Sequence, residues 1–209
     1  MKKSSSRNSS PRRADLPNKV RIIGGRWRGV RVEFPSLAAI RPSPDRVRET
    51  LFNWLQASLP GAHCLDLFAG SGVLGLEALS RGAARAVFID RNPSVARHIR
   101  MTLERLQAEA GSVECADASD YLQARPAAAF DVVFLDPPFG QGLLPRICEL
   151  LVRRGWLAEG AHVYIESEEA AGSPNLPPGY DLLRSKRAGQ VRYHLARWSP
   201  KDAGPGAPP

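Results

Sequence analysis

The chain has 209 residues, 43% of them hydrophobic, enough for one domain of ordinary size with some appended sequence. No run approaches the roughly 20 apolar residues of a membrane helix. Residues 1–13 are basic and serine-rich but lack the apolar centre of a secretory signal, so a cytoplasmic protein is expected, an organellar transit peptide being disfavoured by the lack of amphipathic pattern. The net charge of +8 is unevenly placed. Residues 1–31 hold ten Lys or Arg against one acid, Asp15, while the remainder carries 19 basic and 20 acidic residues. A surplus confined to one segment suits a polyanionic partner, because neutralised phosphates release their counterions; a tail that only aids solubility is the bland alternative. Cys64, Cys115 and Cys148 are widely spaced and set in apolar stretches. They read as buried small hydrophobes in a reducing compartment, and no metal site is expected.

Residues 1–18, rich in Ser, Pro, Lys and Arg, are expected to be a disordered arm, and residues 199–209 a disordered tail. Residues 20–23 and 30–34 are β-like runs around a glycine-rich basic segment, and they read as a hairpin. Its Arg21, Arg26, Arg28 and Arg31, with Arg41 beyond, are the candidate nucleic-acid contacts. The Arg41-Pro-Ser-Pro-Asp45 turn should start a helix over residues 45–57 with Leu51, Phe52, Trp54 and Leu55 on its apolar side. Residues 19–57 thus form a small N-terminal unit and residues 58–198 the main domain. In that domain strand-length apolar runs (64–68, 86–89, 113–115, 132–135, 163–165) alternate with helical stretches (72–80, 93–106, 119–123, 143–153). This is the pattern of a doubly wound, mostly parallel α/β sheet. Residues 182–187 and 191–198 flank Ala188-Gly189 and suggest a closing antiparallel hairpin.

A glycine loop follows the first strand of this domain: Asp66-Leu-Phe68-Ala69-Gly70-Ser-Gly72-Val-Leu-Gly75. Its glycines allow a tight turn, close approach of a ligand to backbone, and helix–sheet packing. Asp90, 18 residues after Gly72, ends the next strand where a carboxylate reaches both hydroxyls of a ribose. The loop also satisfies the dinucleotide pattern, but Asp66 stands where it would repel a pyrophosphate and suits the ammonium of a methionine moiety. No Lys or Arg lies in the loop. The combination points to S-adenosylmethionine, with Phe68, Ala69, Gly70 and Gly72 as contacts. Asp117-Ala118 closes the third strand, and Asp117 reads either as an acceptor for the adenine amine or as the N-cap of the helix after it.

The sharpest signal is Asp136-Pro137-Pro138-Phe139, directly after the fourth strand. Ligands bind beyond the carboxyl ends of strands in open α/β sheets. Two prolines fix φ and remove two backbone donors, so the turn presents carbonyl acceptors beside the Asp136 carboxylate. Two aimed acceptors complement a planar –NH2, and Phe139 can stack on the base that carries it. Asp136, Pro137 and Phe139 are therefore the candidate catalytic residues, and Asp136 also borders the cofactor. These residues alone do not distinguish guanine N2 from adenine N6.

Asp136–Phe139 together with Asp66–Gly72 resembles the class I amino-methyltransferases. More narrowly, residues 21–29, 41–55, 64–81 and 189–191 resemble the bacterial RsmD family of 16S rRNA guanine-N2 methyltransferases. The resemblance implies a Rossmann-like fold with a seven-stranded sheet, a C-terminal antiparallel hairpin and a small N-terminal hairpin extension. It further implies a monomer that uses S-adenosyl-L-methionine on the N2 amine of one guanine in 16S rRNA within an assembling small ribosomal subunit. In such families the segment matching residues 41–53 lies across the cofactor, making Arg46 and Thr50, and also Arg48 and Glu49, candidate contacts. The rivals are an N6-adenine methyltransferase acting on RNA or DNA and a protein glutamine-N5 methyltransferase, whose tetrapeptide normally begins with Asn. The DNA case is disfavoured because the chain has no room for the separate target-recognition domain that specific DNA enzymes usually carry. A non-enzymatic RNA-binding module would leave the Asp136–Phe139 turn unexplained. Trp27 and Trp156 fit core or contact roles equally.

Overall fold

The structure, a computed structural model, describes residues 18–36, 42–124, 129–168 and 172–200. The expected N-terminal arm up to residue 17, the tail from residue 201, and Arg41 lie outside the described residues. The alternating apolar runs form strands β3 (His63–Asp66), β4 (Arg85–Asp90), β5 (Gly111–Cys115), β6 (Phe130–Leu135) and β7 (Leu157–Glu168). These pair in parallel in the order β5-β4-β3-β6-β7. Strand β9 (Val191–Trp198) then adds antiparallel between β7 and β8 (Tyr180–Ala188). The seven-stranded sheet and its closing hairpin are as expected. β7 is much longer than the anticipated residues 163–165, because it continues through Glu159-Gly160, which reads locally as a turn.

Helices α2 (Val73–Ser80), α3 (Pro93–Arg105), α4 (Ala118–Ala124) and α5 (Leu144–Arg153) connect the strands. They divide the core between the two faces of the sheet. Phe88, Phe134 and Tyr164 belong to one cluster, with residues of α2, α3 and the N-terminal unit; Val133, Ile147 and Leu151 belong to the other. Trp156 is a core residue: 1% exposed, it stacks on Phe130 and donates Nε1–H to the Leu122 carbonyl at 3.1 Å. Cys64 and Cys148 are buried as expected. Cys115 is exposed, because it ends β5, the edge strand of the sheet.

In the N-terminal unit, β1 (Asn18–Arg21) pairs antiparallel with β2 (Arg31–Phe34), and α1 (Asp45–Trp54) follows. α1 ends three residues short of its expected limit and buries Val47, Arg48, Leu51 and Phe52. Trp54 stacks on Tyr193 of β9, with ring centroids 5.5 Å apart. This unit packs on α2, which consequently has no solvent face. All eight α2 residues are buried, including Glu77 and Ser80. Two buried polar groups on a helix need partners, and the N-terminal unit supplies them. Ser80 Oγ donates to the Gly24 carbonyl at 2.6 Å and accepts from the Trp27 N–H at 2.9 Å. Glu77 Oε1 accepts from the Ile23 N–H at 2.5 Å and from Arg48 Nη1 at 3.0 Å, and its Oε2 accepts from Arg81 Nε at 3.1 Å. The contact is so close that a Cβ on Gly25 would lie 1.9 Å from the Ser80 carbonyl oxygen, which explains the glycine there.

Arg48 is wholly buried. Its guanidinium also donates to the Ser43 carbonyl at 3.1 Å and to Asp45 Oδ1 at 2.6 Å. It is thus a joint inside the protein and not the cofactor or substrate contact expected of it. Truncating one member of a buried, hydrogen-bonded ion pair strands the other. Glu77→Ala should therefore lower stability by about 3–5 kcal/mol in urea unfolding, and a loss below about 1 kcal/mol would place the pair outside the stabilising framework.

Candidate active site

At the carboxyl ends of β3 to β7 lies a cleft of about 1130 Å³. It sits where the chain, having run outward through β4 and β5, returns beside β3 as β6, the switch point at which such sheets take ligands. Its walls are residues 67–71 after β3, 90–92 after β4, 116–118 after β5, and 136–139 after β6, with Glu166 and Glu168 from β7. Residues 42–44 of the N-terminal unit and Gln190-Val191 of the closing hairpin complete it. Phe68, Ala69, Gly70, Asp90, Asp117, Ala118, Asp136, Pro137 and Phe139 are thus brought together as expected.

The glycine loop is held by carboxylates. Gly70 and Gly72 have φ of 51° and 73°, and Gly72 caps α2 in the left-handed conformation. Asp90 Oδ2 accepts from the Gly70 N–H at 2.9 Å, and its Oδ1 from the Asn92 N–H at 2.8 Å. One residue therefore fixes the loop against β4 while bordering the cleft. Of its two readings, the structure shows Asp117 as the N-cap, at a place on the cleft wall. It caps α4 by accepting from the Ser119 N–H at 2.8 Å, and it lines the cleft.

Four expected cofactor contacts are not on the cleft wall. Asp66 is buried beneath the loop, where its Oδ2 accepts from the Gly75 N–H at 3.2 Å. Its carboxylate organises the first turn of α2 instead of facing an ammonium group. Burial pushes that carboxyl up to about 7, with the backbone N–H groups of Gly75 and Phe68 opposing the rise and the Asp90 charge adding to it. Gly72 faces inward, where a Cβ would meet Ile99 at 3.1 Å. Arg46 is exposed on α1, and Thr50 donates to the Arg46 carbonyl at 3.0 Å. From that segment the cleft is reached by Pro42, Ser43 and Pro44 instead.

Asp136 opens the turn after β6, half-buried, with Pro137 buried and Phe139 47% exposed at the cleft. A second carboxyl, not anticipated from the sequence, stands beside it. Leu135 pairs with Ile165 across β6 and β7, so Asp136 and Glu166 leave adjacent strands at the same level. Glu166 is 5% exposed, and its Oε1 accepts from the Tyr164 hydroxyl at 2.7 Å and from the Ser43 hydroxyl. Burial, then the Glu166 and Asp66 charges, pushes the Asp136 carboxyl well above the ordinary carboxylate range. Glu166 is raised by burial too, opposed by its two hydroxyl donors. The available signal was a carboxylate directly after an apolar run, as for Asp136; the register that pairs them was not legible.

Of the candidate nucleic-acid contacts, Arg21, Arg26, Arg28 and Arg31 are exposed on the N-terminal hairpin. Arg26 lies over the Trp27 ring at 4.0 Å, and Arg21 pairs with Asp45 at 3.2 Å. Among the described residues no His, Cys, Asp and Glu cluster could hold a metal, and no helix is long and apolar enough to cross a membrane.

The donor set can be tested against a nucleoside cofactor. Among the described residues Arg91 is the only basic one on the cleft wall, a poor match for a pyrophosphate. Carboxylates at the end of β4 and just past β5, beside a glycine loop after β3 with left-handed Gly70 and Gly72, suit a ribose, an adenine amine and a cationic sulfonium. The fold and this site define a class I methyltransferase. The family described as conserved hypothetical protein 95 matches residues 20–197, and the chain belongs to it, the RsmD family. It is 47% identical over 176 residues to ribosomal RNA small subunit methyltransferase D of Escherichia coli K12, covering 84% of this chain and 88% of that one. The protein of the same name from Haemophilus influenzae is 41% identical over 180 residues, with 84% and 92% covered. The solved structure of yhhF from Escherichia coli superposes with a TM-score of 0.81 at 44% identity, covering 88% of this chain and 100% of that one.

The buried Asp66 has a pH consequence. Its affinity for protons is higher folded than unfolded, so between about pH 4 and 7 the folded state binds the extra proton and stability falls as pH rises. Asp66→Asn keeps an acceptor for Gly75 and removes that titration. The variant should gain stability relative to the parent across this window, by up to roughly 4 kcal/mol at neutral pH. Parallel stability–pH curves for the two proteins would show that Asp66 ionises freely.

Proposed function

We propose that the chain methylates the N2 amine of one guanine in 16S rRNA, acting as a cytoplasmic monomer on an assembling small ribosomal subunit. Family membership carries the coarser statement: it is an S-adenosylmethionine-dependent methyltransferase of small-subunit rRNA. The observation that carries the amine as target is the Asp136–Phe139 turn, opening into the same cleft as the glycine loop and the Asp90 carboxylate.

Asp90, Asp117 and residues 68–70 would hold the cofactor, which when bound supplies an electrophilic methyl group on a positively charged sulfur. The protein's task is then positioning. An exocyclic amine is a poor nucleophile because its lone pair is delocalised into the ring. Asp136 and the Pro137 carbonyl accept its two N–H donors and favour a pyramidal nitrogen with its lone pair free. Phe139, exposed at the rim, stacks on the extruded base. An Asp with ordinary acidity is a weak base, but the raised proton affinity of Asp136 suits it to take the proton that the amine loses. The exposed arginines of the hairpin, Arg26 and Arg28 foremost, would engage the phosphate backbone from a fixed place, with residues 1–18 as a diffuse basic arm.

Kinetics on small subunits from a strain lacking the methyltransferase test this reading. Asp136→Ala should lower kcat by about 10²–10³-fold, with S-adenosylmethionine affinity by calorimetry nearly unchanged. Phe139→Ala should chiefly raise KM for the subunit. The product should be N2-methylguanosine by nucleoside mass spectrometry. Near-normal turnover of Asp136→Ala would make the turn structural.

A further inference from the structure

The carboxyl pair at the ends of β6 and β7 is larger than holding one amine requires. Asp136 and the Pro137 carbonyl suffice for two N–H donors. Glu166 is a third acceptor at the same level of the sheet, on the wall of the same cleft. Its two hydrogen bonds are one-sided: Ser43 and Tyr164 both donate to Oε1. Among the described residues Oε2 has no hydrogen-bond partner, although the side chain is only 5% exposed. A carboxylate oxygen left free at the wall of a binding cleft, while its twin is tied down by two hydroxyls, is an oriented acceptor awaiting a donor.

We propose that Glu166 is the base-selecting residue, its Oε2 accepting the N1–H of a target guanine beside the N2 amine held by Asp136. The inference rests on the guanine reading above and supplies what the Asp136–Phe139 turn lacks, a reason to prefer guanine. Along its Watson–Crick edge guanine presents N1–H and N2–H donors side by side, matching two adjacent carboxylates. Adenine presents an amine next to N1, which is an acceptor. Against Glu166 that would set a lone pair on a lone pair, leaving two buried acceptors unsatisfied. Sites built to hydrogen-bond a group reject analogues that lack it far more strongly than apolar pockets reject a missing methylene. Ser43 gains a purpose in the same stroke. It comes from the N-terminal unit, 123 residues away in sequence, and with Tyr164 of Glu166's own strand it holds Oε1 in place.

A swap of donor and acceptor tests this. 2-Aminopurine retains the 2-amine but carries an acceptor at N1. In Glu166→Gln the Ser43 and Tyr164 hydroxyls retain the amide oxygen at the Oε1 position, leaving –NH2 toward the base. The assay uses small subunits reconstituted around ligated 16S rRNA carrying either guanine or 2-aminopurine at the methylated position. Wild-type kcat/KM should favour guanine by at least about 10-fold. In Glu166→Gln guanine turnover should fall about 10- to 100-fold while 2-aminopurine turnover rises. The ratio of the two substrates is independent of any loss of folded enzyme. An unchanged ratio, no gain on 2-aminopurine, or a wild type indifferent to the swap would each overturn the assignment. A wild type that ignores the guanine and methylates an adenine would instead sink the guanine reading itself.

Discussion

The Arg48–Glu77 ion pair, sealed from water between α1 and α2, is the interaction on which the site depends. A guanidinium with no exposure is tolerable only when its donors are met, and here three oxygens meet them: Glu77, Asp45 and the Ser43 carbonyl. Through Glu77 the same pair reaches the Ile23 backbone and Arg81. One buried charge cluster therefore fixes the hairpin, the turn at residues 42–44 and the helix that carries the glycine loop. The turn reaches the cleft because of it.

Two consequences for the chemistry follow. The cleft is not a property of the α/β sheet alone, since Ser43 contributes to its wall and tethers Glu166. The carboxylates around it also divide their work by depth. Asp66 lies under the loop and shapes α2, Asp90 and Asp117 fix backbone turns while bordering the cleft, and Asp136 and Glu166 line it side by side from neighbouring strands. Burial raises the proton affinity of Asp66, Asp136 and Glu166.

Much of this architecture was legible. Apolar runs of strand length alternating with helical stretches identify the doubly wound sheet, although Glu159-Gly160, which reads as a turn, lies within β7. Asp136–Phe139 was readable because its composition has few other uses. What stayed hidden depends on tertiary register. Asp66 and Asp90 both follow apolar runs, yet one turns under the loop and the other beside it. Arg48 lies in a segment whose resemblance made it a candidate contact, and only the packing of α1 on α2 shows it inside. Arg46 and Thr50, candidates through the family resemblance of this segment, share that helix and lie off the cleft wall, which Pro42, Ser43 and Pro44 reach instead. Glu166 becomes a neighbour of Asp136 only through the pairing of Leu135 with Ile165.

The N-terminal unit forms part of the cleft wall and is held there by Arg48 and Glu77. Replacing a buried ion pair by neutral groups is often close to neutral for stability, so the double variant Arg48→Met, Glu77→Gln separates positioning from folding. Calorimetric titration with S-adenosylmethionine is the measurement. Loss of the Arg48 bond to the Ser43 carbonyl should free the turn and weaken binding about tenfold or more in a protein that still folds. Unchanged affinity in the folded double variant would mean that the sheet alone defines the cleft.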